Sequence, residues 1–342
     1  MGLGKLVPND PRVKYGSATV RGNTYTYMLG EPESGRPRHT VFLVHGFPDL
    51  GFGWRCQIPL FVSLGYRVIV PNMLGYAGTS APKEIEAYSL KSLSADIAEL
   101  ARQFVGKDGQ IILGGHDWGG ALVWRTAMWH PDLIAAVFSV CTPYNAPHSK
   151  YISIEDMVHS GKLPNFAYQL QLKGPDVEAR LQGEEGVRQF LNAMFGGFGP
   201  GGEVGFRVSE GVQFDNLPKL RQTKLLSDEE MDFYVQQFMR QPAPQLRGPL
   251  NWYRAREVTF KEELPLARAG VKLEMPAFFI TATRDKSLPP HMSVGMEKHF
   301  KNLSRAEVNS SHWAPTHASG EVNALLAKWI EGVMDRGLKA SL

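Results

Sequence analysis

Two cysteines, Cys56 and Cys141, are all that 342 residues contain, so neither a disulfide framework nor a thiolate metal cluster organises this chain. Both sit among apolar neighbours and are expected as buried free thiols. Charge of one sign is equally scarce. The net charge is +3 at pH 7 and no dense Lys/Arg stretch occurs, which argues against nucleic acid as a partner. The longest apolar runs, such as 133–141, fall far short of the roughly 20 residues a bilayer-spanning helix needs. The opening segment MGLGKLVPND lacks the apolar stretch of a secretory signal, and Leu6 stands where a myristoylation signal after Gly2 carries Ser or Thr. A cytoplasmic protein with no membrane span is expected.

What is present is ordinary globular material. Hydrophobic residues make up 43% and charged residues 21%, which permits a sizeable core. The length allows one large domain or two moderate ones. Short runs rich in branched residues, at 40–44, 67–70, 110–113, 135–140 and 277–281, read as strands covered on both faces, because they do not alternate. Helical patterns lie between them. The stretch 89–104 carries Leu90, Leu93, Ile97, Leu100 and Ala101 at helical spacing behind a candidate cap, Ser89. Stretches 119–129 and 322–333 are two more. Strand–helix alternation predicts an α/β fold with a mostly parallel central sheet and helices on both faces.

The alternation stops near Thr142 and resumes near Met275. Between them lie helical stretches, two glycine-rich patches (196–202 and 205–211) and prolines at 164, 175, 200, 218, 242, 244 and 249. This reads as a mainly helical cap over the carboxyl ends of the strands, where ligands bind in open α/β sheets. The expected division is a core of 1–142 and 270–342 and a cap of 143–269.

Gly114-Gly115-His116-Asp117-Trp118-Gly119-Gly120 follows a strand and precedes a helix, the setting of a nucleophile elbow. The glycines relieve crowding at the sharp turn, and the helix N-terminus favours an ionised carboxylate. Asp117 is therefore a candidate nucleophile; the alternative is an Asp that only caps the helix. His45-Gly46-Phe47-Pro48 follows the first strong strand. The backbone N–H groups of Phe47 and Trp118 are candidate oxyanion donors, and Pro48 is a candidate cis bond; the alternative is a plain turn. Asp285 follows the strand at 277–281. His312 follows Ala306-Glu307-Val308. A carboxylate-oriented histidine takes a proton from water near neutral pH, which makes Asp285 and His312 the expected acid and base, with His317 the next candidate. Nucleophile, acid and histidine then come in the order 117, 285, 312.

These residues sit within motifs that resemble the soluble-type epoxide hydrolases of the α/β-hydrolase superfamily. The stretches are HGFP at 45–48, GYAGTSAP at 75–82, GGHDWGG at 114–120, NFAYQL at 165–170, GPLNWYR at 248–254 and SSHWAP at 310–315. The resemblance covers about residues 20 to 335. It implies an α/β-hydrolase fold, conversion of an epoxide and water to a vicinal diol through an ester on Asp117, and no cofactor or metal. It also implies that two cap tyrosines, Tyr168 and Tyr253, donate hydrogen bonds to the epoxide oxygen. Chemistry fits that role, since a phenol with a pKa of about 10 stays protonated at rest yet protonates an alkoxide. Phe166, Gln169, Trp313 and Leu250 are candidate substrate contacts. Met157, Leu170, Phe195 and Phe198, with Phe166 and Leu250, suggest an apolar pocket; the alternative is ordinary packing within the cap. The expected partner is a lipophilic epoxide, and the chain is expected as a monomer or homodimer. The family sometimes places its acid near Asn145, which is no carboxylate and so favours Asp285.

Rival readings remain at this point. A haloalkane dehalogenase needs side-chain donors for halide, and Phe47 stands where its Asn is usual. A fluoroacetate dehalogenase carries Arg where Trp118 stands. An esterase lacks a Ser or Cys at the elbow. A catalytically idle ligand-binding homologue would not need the full set.

Overall fold

The computed structural model describes residues 4–33 and 35–335; Met1-Gly2 and the last seven residues of the 270–342 stretch lie outside the described residues. The chain divides into two compact units, one of Met1–Met73, Leu90–Ser149 and Glu262–Leu342, the other of Leu74–Ser89 and Lys150–Lys261.

The first unit is built on β1 (Lys14–Val20), β2 (Asn23–Gly30), β3 (Thr40–Val44), β4 (Arg67–Pro71), β5 (Ile111–His116), β6 (Ile134–Val140), β9 (Leu273–Ala282) and β10 (Phe300–Val308). The two short strands β7 (Phe206–Arg207) and β8 (Gly211–Val212) belong to the second unit. The large sheet runs in the order β1-β2-β4-β3-β5-β6-β9-β10. From β4 to β10 every neighbouring pair is parallel, and only β1–β2 and β2–β4 are antiparallel. β3, β5 and β6 are buried along their whole length, which is why they read as unbroken apolar runs. The parallel strands bring the residues after β3, β5, β6, β9 and β10 to one edge of the sheet.

Two strands escape the sequence reading. β1 and β2 form a hairpin across Arg21 and Gly22, both at positive φ (48° and 85°), the backbone a two-residue hairpin turn requires. Their polar and tyrosine-rich composition lacks a buried strand's pattern, because this edge faces solvent on one side. β10 also starts earlier than the three residues read from the sequence, since its first part is half-exposed.

Helices α1 (Ile58–Ser63), α2 (Leu90–Val105), α3 (Trp118–Trp129), α11 (Ala314–His317) and α12 (Ser319–Asp335) also belong to this unit. Phe138 on β6 packs against Trp54, Phe61 and Trp329, and Trp329 stacks on Phe278 with ring centres 5.3 Å apart. Both cysteines are free, but only Cys141 is buried; Cys56 keeps partial exposure, a correction to the sequence reading.

The second unit carries α4 (Ile154–His159), α5 (Tyr168–Leu172), α6 (Asp176–Arg180), α7 (Gly183–Met194), α8 (Asp228–Phe238) and α9 (Arg247–Arg254), and the start of α10 (Arg256–Ala269). α8 begins with a capping box: the Ser227 hydroxyl accepts the Glu230 N–H, and the Glu230 carboxylate accepts the Ser227 N–H. Residues 74–89, placed in the core by the sequence division, group with this unit. Gly75 and Gly248 approach so closely that a β-carbon on either meets the other's backbone. The Trp252 indole donates to the Leu74 carbonyl at 3.1 Å, and the Gln241 amide donates to the carbonyls of Ala77 and Thr79 at 2.6 and 2.8 Å. Such contacts join segments far apart in sequence, so no composition shift marks them. Among the described residues no helix is long and apolar enough to cross a membrane.

Candidate active site

Asp117 stands at the junction of β5 and α3 with φ 52° and ψ −124°, a conformation that costs a non-glycine residue about 1–3 kcal/mol. The turn is possible because its neighbours are bare. A β-carbon on Gly119 would collide with the Val44 carbonyl, and one on Gly46 with the Asp117 side chain. An Asp at a helix start commonly accepts a hydrogen bond from the first turn. Asp117 makes no such bond, so its carboxylate is not spent on capping.

That carboxylate has other partners. Oδ1 accepts the Phe47 N–H at 2.7 Å, and Oδ2 lies 3.4 Å from His312 Nε2. Phe47–Pro48 is cis. The loop before it is fixed by His45, whose Nδ1 meets the Gly46 carbonyl and whose Nε2 accepts the Met73 N–H, both at 2.9 Å. A ring that donates on one side and accepts on the other must be neutral. Burial agrees, lowering His45 to about 4.

His312 follows β10 and its Nδ1 lies 2.7 Å from Asp285 Oδ2. Asp285 is held in turn: its Oδ1 accepts the N–H groups of Ser287 and Leu288 at 2.8 and 2.9 Å. The Asn145 alternative does not arise, since Asn145 is exposed and its carbonyl accepts from Arg125 at 2.7 Å. His317 pairs with Ser311 at 2.7 Å. Burial disfavours charge on His312, but Asp285 and the hydrogen bonds to Asp117 and Asp285 outweigh it and raise its pKa to about 10. Burial likewise opposes charge on Asp117 and Asp285, yet His312 lowers both on balance. The resting site is thus two carboxylates with a proton-bearing ring between them.

His116, absent from the sequence candidates as a site residue, packs its ring 4.9 Å from that of His312, and its Nε2–H donates to the His312 carbonyl at 2.8 Å. Its place beside Asp117 in the glycine-rich motif was the available signal. Burial lowers it to about 4. The Cys141 thiol donates to the same carbonyl at 3.2 Å. Trp118 opens α3, and Trp313 stands edge-on to His312 at 5.4 Å, half-buried.

The second unit brings its two candidate tyrosines together. Tyr168 on α5 and Tyr253 on α9 meet edge to face with ring centres 6.2 Å apart. Arg254 sets this spacing by donating to the carbonyls of Lys173 and Gly174, at 3.0 and 2.9 Å, and to Glu178 at 3.1 Å, which ties α9 to the end of α5. Phe166 packs edge-on to Tyr168 at 6.3 Å, and the Gln169 amide is 3.4 Å from the Tyr168 hydroxyl. Leu250 is fully buried, whereas Phe166 and Gln169 keep exposed surface.

Comparisons with known proteins converge. A family model described as alpha/beta hydrolase fold matches residues 39–316. A Neurospora crassa protein named epoxide hydrolase srdG is 42% identical over 340 residues, covering 95% of this chain and 98% of its own. Epoxide hydrolase A of Mycobacterium tuberculosis is 32% identical over 89% of this chain and 92% of its own. The crystal structure of epoxide hydrolase A from Mycobacterium thermoresistibile superposes with a TM-score of 0.77 at 28% identity, covering 94% of this chain and 98% of that one.

Proposed function

This chain belongs to the α/β-hydrolase fold family and, within it, to the epoxide hydrolases, and on that premise we propose that Asp117, His312 and Asp285 carry out a two-step opening of a lipophilic epoxide to a vicinal diol. The observation that carries this reading is His312 between two carboxylates, 2.7 Å from Asp285 and 3.4 Å from an Asp117 held at an elbow. In the first step Asp117 Oδ2 attacks one epoxide carbon and the ring C–O bond breaks. Tyr168 and Tyr253 share the protonation of the departing oxygen.

The ester removes the negative charge of Asp117, and with it part of what holds the His312 proton, which passes through water to the phenolate left by ring opening and restores the phenol while leaving the ring neutral. His312, steadied by Asp285, then takes a proton from water, which attacks the Asp117 carbonyl carbon. The Phe47 and Trp118 N–H groups stabilise the oxyanion. The acyl C–O bond breaks, Oδ2 leaves in the diol with the proton His312 returns, and the water oxygen stays in Asp117, whose carboxyl proton recharges His312. An aspartate nucleophile suits this chemistry because its ester presents a carbonyl to water, whereas an ether on serine would be a dead end.

The segment 143–269 acts in this scheme as the cap that carries the phenols; Phe166 and Gln169 within it, and Trp313 beside the base, are the proposed substrate contacts. Leu250, buried on α9 three residues before Tyr253, is the fourth proposed contact. Two unpaired cysteines suit a reducing compartment such as the cytosol. One single turnover in heavy-oxygen water tests the scheme. The diol is expected unlabelled and the peptide holding Asp117 heavier by one heavy oxygen; label in the first diol and none in Asp117 rules out the ester.

A further inference from the structure

The chemistry requires Asp117 to keep a strained backbone while its side chain changes partners. The His312 contact falls on Oδ2, the attacking oxygen, and is lost when the ester forms, while the Phe47 contact stays on Oδ1 as that atom passes from carboxylate to ester carbonyl to oxyanion. The contacts on atoms that take no part in the reaction are those to the Asp117 backbone carbonyl. One is the Ala121 N–H of α3, at 3.1 Å. The other is a hydroxyl from a different strand end: Thr142 Oγ1 donates to the Asp117 carbonyl at 2.7 Å.

Thr142 is itself fixed. It is 7% exposed, and its carbonyl accepts both the Trp124 indole N–H at 3.1 Å and the Ser139 hydroxyl at 2.8 Å. Cys141 before it turns through φ 69°, donates its N–H to the Ile280 carbonyl at 2.9 Å and its thiol to the His312 carbonyl. Two residues after β6 thereby touch the nucleophile's turn, the strand that leads to Asp285 and the backbone of His312. Gly120 leaves room for this, because a β-carbon there would press on Thr142 and Ser139.

We propose that Thr142 is a positioning residue for the reaction: its hydroxyl pins the Asp117 carbonyl and so holds the carboxylate in attacking geometry through both steps. The inference rests on Asp117 being the nucleophile. Small displacements of a reacting group are costly, with about 1 Å worth roughly a hundredfold in rate.

Thr142→Val keeps the shape and removes the donor, and Thr142→Ser keeps the donor. The measurements are single-turnover ester formation with styrene oxide, steady-state kcat and KM, and Tm. Ester formation and kcat are expected to fall at least about tenfold in the Val variant with KM changed less than about threefold, while Ser stays within about twofold of wild type. Ester formation at the wild-type rate in Thr142→Val, or equal loss in both variants, overturns the inference. If Val does not fold, Thr142→Ala is read the same way. If neither folds while Ser is stable, the bond is a folding requirement and the positioning role is lost. Wild-type enzyme that forms no ester at Asp117 removes the mechanism itself, a result distinct from these.

Discussion

Asp285 and His312 share one short hydrogen bond, Oδ2 to Nδ1–H at 2.7 Å, and that bond turns the other ring nitrogen toward Asp117. That bond orients the ring that the proposed scheme uses as its base. Removing the base while keeping the nucleophile separates the two steps. In His312→Gln, ester formation is expected to continue and its hydrolysis to slow by about 10²–10⁴-fold. Intact-mass analysis after mixing with substrate will show the enzyme heavier by one substrate molecule; no adduct speaks against the order of steps.

The same ring sets a pH signature on stability. His312 is raised from about 6.5 to about 10 in the folded protein. Its contribution is fully present below about pH 6.5 and is lost as pH rises through about 10. Asp117 and Asp285 are lowered, so their contribution is present above the ordinary carboxylate range and lost as pH falls below it. His45 and His116, both held down at about 4, work oppositely to His312 and cost stability as pH falls from about 6.5 toward 4. Tm is expected to decline between pH 7 and 10 in the wild type and to decline less in His312→Gln. Parallel curves for the two proteins would falsify this assignment.

In the proposed scheme the phenols act in the first step only. Tyr168→Phe and Tyr253→Phe are each expected to slow ring opening by about ten- to a hundredfold, and the pair together to abolish it. Tm should change little, because the rings that pack 6.2 Å apart remain. Unchanged turnover in the double variant takes both residues out of the mechanism.

A buried ion pair braces the helix behind the elbow. Arg125 on α3 meets Glu263 on α10 at 2.7 Å, with side chains 11% and 7% exposed. Arg125 also lies over the Tyr144 ring, 5.9 Å from its centre. Arg125→Met alone is expected to lower unfolding free energy by about 3–5 kcal/mol, because it strands a buried carboxylate. Arg125→Met with Glu263→Met is expected to recover most of that loss. Urea denaturation reads both, and a double variant no better than the single one contradicts the account.

Much of this was legible in advance because the key residues sit where strands end. Asp117 and Asp285 each follow an apolar run, His312 follows the short stretch 306–308, and a parallel sheet gathers such positions at one edge. The glycines around Asp117 announced a crowded turn. What stayed hidden depends on contacts without sequence pattern. The β1–β2 hairpin is polar and half-exposed. Residues 74–89 join the second unit through a glycine-to-glycine approach. Thr142 bonds to a backbone carbonyl 25 positions away, which no spacing rule reveals. His116 takes its place in the site from contacts with the ring and carbonyl of His312, 196 positions away, which no local pattern reveals.

The Phe47 N–H already rests on Asp117 Oδ1 before any substrate arrives. A visiting carboxylic ester would have to dislodge that oxygen to reach the same donor. Only an acyl group attached to Asp117 itself has its oxygen seated there from the start. On the proposed mechanism the hydrolytic half is therefore reserved for a bond made with the chain's own carboxylate, and foreign esters are expected to pass it by.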